Sequence, residues 1–194
     1  MVNVGLISGI IFYGFVLIYF FRTRKKWDVH GILALYRTKW GLKFMDRLAR
    51  LFPRTLKVIG YIGVAMGFLG MTTIVVLLIK SALDIILIEG APAGLYPVFP
   101  GINIPGLPAL SFWHWLIGIF VLATVHEFSH GVLARVHNVK VLNSGFGFLG
   151  PILLAFVEPD ETQVKKIKKG PQLSYIAAGP IANFIFAILF FLIF

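Results

Sequence analysis

The run His126-Glu127-Phe128-Ser129-His130 concentrates more chemistry than any other part of this chain. On an α-helix, positions i and i+4 lie one turn apart on the same face. Two imidazoles placed so can hold one metal ion, and the carboxylate beside the first can reach a water on that ion. The pattern points to His126 and His130 as zinc ligands, Glu127 as a general base and hydrolysis as the reaction. A catalytic zinc site uses three protein ligands and leaves one position open. Spacing selects no third ligand. His114 is three turns along the same run, about 18 Å away at ~1.5 Å per residue. Asp84 and Glu89 fall on the opposite side of the predicted membrane. Glu158, Asp160 and Glu161 are near enough to fold back, but their spacing favours none of them. The chain has no cysteine, which removes thiolate-held zinc and iron–sulfur clusters.

The elements that must position this group are membrane spans. Of 194 residues 58% are hydrophobic and only 13% charged, and the mean hydropathy is +0.89. A soluble domain carries about twice that share of charge. Uncharged runs cover Val2–Phe21, Val58–Ile79, about Leu110–Ala134 and about Leu173–Phe194. Each is long enough to cross a hydrocarbon core of ~30 Å. The first lacks the positive start and small-residue cleavage site of a signal peptide, so it reads as a retained helix. The net charge of +10 is sided. Basic residues crowd Arg22–Lys57 and Arg135–Lys169, and none occurs in Ser81–Ala134. The positive-inside rule then puts both basic stretches in the cytoplasm and Ser81–Ala109 outside. Charge beside spans is expected of such a protein, so nucleic acid is not an expected partner; the lipid bilayer is.

This placement sharpens the chemical reading. The His126–His130 turn lies inside the third span, toward its cytoplasmic end. One ionised carboxylate near the bilayer centre costs roughly 2.5–3.5 kcal/mol on insertion scales. A divalent cation and a wet cavity would offset that cost. A transporter would spread polar groups along several spans, whereas here they gather in one turn.

Other segments have plainer readings. Val29, Ile32, Leu33 and Tyr36 follow helical spacing, as do Phe44, Met45, Leu48, Leu51 and Phe52; both predict helices lying in the membrane surface, the second ended by Pro53. Gly60, Gly63, Gly67 and Gly70 form one small-residue stripe on the second span, suited to close helix packing. The external loop, with Pro92, Pro97, Pro100, Pro105 and Pro108 among Gly90, Gly94, Gly101 and Gly106, is turn-rich. The stretch between Lys140 and Lys165, broken by Gly145, Gly147, Gly150 and Pro151, reads as a β-hairpin turning near Gly150–Pro151. Apolar non-helical backbone at membrane depth belongs beside protein or a cavity, and an open edge there could pair with an extended substrate or simply pack on the bundle. Gly179-Pro180 loosens the fourth span, and Asn183 is a lone amide at lipid depth, suited to interhelical bonding, to holding substrate backbone or to orienting a ligand. The expected fold is thus an all-α polytopic membrane protein of about four transmembrane helices, with a small membrane-associated β-hairpin after the third. Three segments divide it: 1–57, the first helix and the basic loop; 58–109, the second helix and the external loop; and 110–194, the core bearing the site.

These residues resemble the site-2 protease family of intramembrane metalloproteases. The resemblance rests on His126-Glu127-Phe128-Ser129-His130-Gly131 with Ala134-Arg135, on Phe156-Val157-Glu158-Pro159-Asp160-Glu161, and on Ala178-Gly179-Pro180-Ile181-Ala182-Asn183, and it covers about Phe112–Ile193. It implies Zn2+ as cofactor, a transmembrane protein as substrate and cleavage within the bilayer of a multi-pass protein, in the cell membrane with its site toward the cytoplasm. It implies His126 and His130 as ligands, Glu127 as base, and a third ligand, an Asp, in an Asn-Pro…Leu-Asp-Gly element on a later helix. No such element occurs up to Phe194, so the chain is expected to be the front part of a longer protein or an inactive relative that binds transmembrane helices. A membrane-anchored zinc protease acting on soluble peptides is the other alternative.

Overall fold

The computed structural model describes residues 4–88, 98–100, 110–150 and 152–193. Most of the Pro/Gly-rich stretch, including Glu89, and the turn residue Pro151 lie outside them. Four helices are long and apolar enough to cross a membrane: α1 (Val4–Thr23), α3 (Pro53–Leu87), α4 (Phe112–Val136) and α6 (Lys169–Ile193). They match the four uncharged runs. Their outward residues stay exposed and apolar along most of their length, the surface expected of helices that face lipid rather than water. Two shorter helices, α2 (Leu42–Leu51) and α5 (Glu161–Lys166), join them.

The expected hairpin is present as β3 (Val141–Leu149) and β4 (Ile152–Pro159), with Gly150 at a φ of 57° in the turn. It is half of a larger structure. β1 (Asp28–His30) and β2 (Leu33–Thr38) extend it to a four-stranded antiparallel sheet in the order β1-β2-β3-β4. Residues 29–36 are therefore not an interfacial helix. Val29, Ile32, Leu33 and Tyr36 satisfy a period of 3.6, but Gly31 adopts a φ of 60° and turns the chain between His30 and Leu33, which pair. Partners that lie a hundred residues ahead decide the conformation: Tyr36 pairs with Phe146 and Thr38 with Ser144. Trp27 is buried against Tyr36, Phe146 and Phe148, and also meets Phe20, so an aromatic cluster ties the end of α1 to the sheet. The side chain of Arg37 bridges Asp28 on β1 and Glu158 on β4, which also accepts a hydrogen bond from Asn143 on β3.

The second expected helix forms as α2 and ends, as expected, just before Pro53. α2 stops at Leu51, and Pro53 opens α3, a position where its missing N–H costs nothing. But α2 does not simply lie on a membrane. Its Met45 and Ala49 are buried with Val132, Leu133 and Val136 of α4 and Ala178 of α6, while Phe44, Leu51 and Phe52 remain exposed. The glycine stripe divides in two. A Cβ on Gly60 would strike Ser174 of α6, and one on Gly63 would lie 2.9 Å from Ile181. Gly67 and Gly70 have open space around them. Close packing of α3 on α6 thus uses the Gly60–Gly63 half of the stripe alone.

Candidate active site

α4 presents His126, Glu127 and His130 from a single turn, with the two imidazole rings 4.9 Å apart. Each ring has its Nδ1 engaged by α6. His130 Nδ1 lies 2.8 Å from the carbonyl oxygen of Tyr175. A carbonyl only accepts, so Nδ1 carries the proton and Nε2 keeps its lone pair. His126 Nδ1 lies 3.4 Å from the side-chain amide of Asn183. The Asn183 Oδ1 is buried and has no hydrogen-bond partner among the described residues. Turning that amide over brings Oδ1 to the imidazole, satisfies the orphan oxygen and fixes the same tautomer at His126. Orienting the other ring nitrogen in this way is what a metal-ligating histidine requires.

Glycine is needed at two points around these rings. The face of His126 rests on the backbone of α6 at Gly179, where a Cβ would stand 2.5 Å from Cδ2 and Cε1. At Gly131 a Cβ would stand 2.6 Å from the Met45 sulfur and 3.2 Å from Val157. Gly131 therefore lets α2 and β4 both close onto the helix that carries the site.

Glu127 faces the other way, into a cavity of ≈ 870 Å³ between α2, α4 and the sheet. Phe44, Phe120, Phe128, Phe146 and Phe156 give it an apolar wall. The backbone N–H of Val157 on β4 faces the Glu127 carboxylate. That N–H accordingly points away from β3. Ladder alternation then turns the N–H groups of Leu153 and Ala155 to the same unpaired edge of β4.

The downstream carboxylates are occupied elsewhere. Glu158 is held by Arg37 Nε at 2.8 Å and by Asn143 at 2.9 Å. Asp160 caps α5 by accepting from the backbone N–H groups of Thr162 and Gln163. The Thr162 hydroxyl, followed by the Gln163 N–H, holds the Asp160 carboxyl below the usual carboxylate range. Glu161 pairs with Lys165 on the surface. His137 bonds to the Ser174 hydroxyl at 3.1 Å. Among the described residues, no three His, Asp or Glu side chains gather as a metal site. The residues present fit two ligands of a zinc ion and the base beside it. Val157, Gly179 and the Tyr175 carbonyl escape a reading by spacing, because each acts through its backbone.

Four helices long and apolar enough to cross a membrane thus accompany an HExxH turn backed by a small sheet. Residues 114–194 match the model of peptidase family M50. The chain is also 31% identical, over 160 residues, to an uncharacterized protein of Methanocaldococcus jannaschii; the match covers 80% of this chain and 41% of that protein. This chain thus spans less than half the length of that relative. No solved structure matches it.

Proposed function

We propose that this chain carries the HExxH half of an intramembrane zinc endopeptidase that cleaves transmembrane segments of other proteins. The observation that carries the reading is the division of labour around one turn of α4. Both histidines are oriented from behind by α6, while Glu127 opens onto an apolar cavity beside a free strand edge. Nε2 of His126 and of His130 would hold the ion, and the third ligand would come from outside the described residues. When bound there, zinc supplies Lewis acidity toward a water and the scissile carbonyl. Glu127 takes the proton of the attacking water and delivers it to the leaving amine. Val157 keeps the carboxylate in place through its N–H.

An apolar helix conceals its carbonyls in its own hydrogen bonds, so a substrate must unwind before attack. The free N–H and C=O groups of Leu153 and Ala155 offer an unwound segment strand pairing, and the phenylalanine-lined cavity receives its side chains. The site is reached from the cytoplasmic half of the bilayer of a multi-pass membrane protein.

The test is zinc content together with cleavage, measured on the full chain in detergent. His126→Ala should lose the zinc. Glu127→Gln should retain it and lose cleavage of a reconstituted transmembrane substrate by about 10²–10⁴-fold, the usual worth of a general base. Cleavage that survives Glu127→Gln would refute the base assignment.

A further inference from the structure

A second cavity lies apart from the HExxH turn, at the basic ends of α3 and α4. It measures ≈ 690 Å³, and Arg50, Lys57, Arg135 and Lys140 line it with one carboxylate, Asp46. These cations come from α2, α3, α4 and the turn before β3, so tertiary packing brings them together. Asp46 is engaged by Arg135, whose Nε lies 3.0 Å from its Oδ1, and a terminal nitrogen of Arg135 donates to the Val141 carbonyl. Arg50 donates through Nε to the backbone carbonyl of Asp46. Asp160 feels the charge of Lys140, but its carboxylate is committed to the α5 cap. Among the described residues no carboxylate forms an ion pair with Arg50, Lys57 or Lys140.

Crowded like charges repel one another, and an anion in the cavity relieves that repulsion. Pro53 lines the cavity where the 35-residue α3 begins, and no side chain caps that first turn. The positive end of a long helix therefore adds to the field of the four side chains. Buried Val136 and Val139 lie on its wall, and exposed Leu51 and Phe52 follow Arg50 in the chain. Cations beside apolar surface at a span end suit a phosphate group at the lipid–water boundary.

We propose that this cavity is a binding site for an anionic phosphate group, carried by a lipid headgroup or free in solution. The inference does not depend on zinc or on proteolysis. Its test uses the full chain in neutral detergent with three probes: phosphatidylglycerol, phosphatidylcholine and inorganic phosphate. Retained lipid is read by native mass spectrometry and phosphate affinity by calorimetry. The double variant K57Q/K140Q leaves the Asp46–Arg135 pair intact. It should weaken the binding of phosphatidylglycerol, of inorganic phosphate or of both by about tenfold or more, as expected when charged hydrogen bonds are lost. The control K165Q/K166Q removes the same charge from α5 and should change it less than about twofold, since surface pairs contribute little. Retention of phosphatidylglycerol with no phosphate binding identifies the lipid as the source. Phosphate binding without preference for phosphatidylglycerol identifies the free anion. The single variants K57Q and K140Q, each checked by circular dichroism, give the same reading should the double variant misfold. Equal losses in the two double variants, or binding of both anionic probes no tighter than phosphatidylcholine, would overturn the proposal.

Discussion

Replacing Gly179 by alanine tests the architecture of the site most directly. The new Cβ would stand 2.5 Å from Cδ2 and Cε1 of His126, against an ordinary carbon–carbon separation of ~3.5–4.0 Å. About 1 Å must open between α4 and α6, or the imidazole must swing away. Overpacking of this kind costs about 1–3 kcal/mol. Better helix propensity returns at most about 1 kcal/mol. The net change in stability is therefore small, about 0–2 kcal/mol. The effect on function should be much larger. A ligand displaced by ~1 Å lowers metal affinity in the range seen for lost second-shell contacts, about 10–100-fold, and the same misplacement costs a reaction about 10²-fold. Zinc affinity is measured by chelator competition in detergent beside the thermal midpoint of the same sample. Two controls separate the causes. Gly67→Ala meets open space, so it should leave zinc affinity unchanged and hold or slightly raise the midpoint through helix propensity. Gly60→Ala strikes Ser174 and crowds Leu133 at 3.0 Å, so it should lower the midpoint and spare the zinc. If Gly179→Ala binds zinc as tightly as the wild type, the ring does not rest on α6 as described and the reasoning fails.

Three further outcomes follow from the same geometry. Asn183→Leu should lower zinc affinity about 10–100-fold while the helices stay packed, because it removes the partner of His126 Nδ1; an unchanged affinity would leave Asn183 free for substrate alone. Ala155→Pro removes an N–H from the free edge of β4 and none from the ladder with β3, so cleavage should fall at least about tenfold with zinc affinity held, whereas Phe156→Pro should disrupt the sheet itself. Equal loss of cleavage and zinc in Ala155→Pro would make β4 a structural strand only. The depressed Asp160 carboxyl contributes stability above the ordinary aspartate range, and that contribution is lost as pH falls through its lowered value in the folded state. Asp160→Asn keeps the cap and should flatten the fall in thermal midpoint between about pH 5 and pH 2; parallel curves for variant and wild type would refute that account.

Length and uncharged composition determined the four helices, because crossing ~30 Å of hydrocarbon demands about 20 apolar residues whatever surrounds them. His126, Glu127 and His130 were legible because their relation is local: one turn of helix puts them on one face. The β3–β4 hairpin was legible for the same reason, since its strands are joined by a glycine turn. Residues 33–38 were not, because the strand they form pairs with 144–149, more than a hundred residues away, and an isolated apolar period fits helix and strand alike. The functions of Gly131 and Gly179 were hidden too. A glycine shows its purpose only when the atoms that would strike its Cβ are in place, and those belong to α2, β4 and His126. Packing likewise decided that Glu158 is committed to a bridge between strands, whereas Asp160 and Glu161 are held locally, by a helix cap and an i,i+4 pair. It also brought four cations from separate elements to one cavity, an arrangement that charge counted along the chain could place only on one side of a membrane.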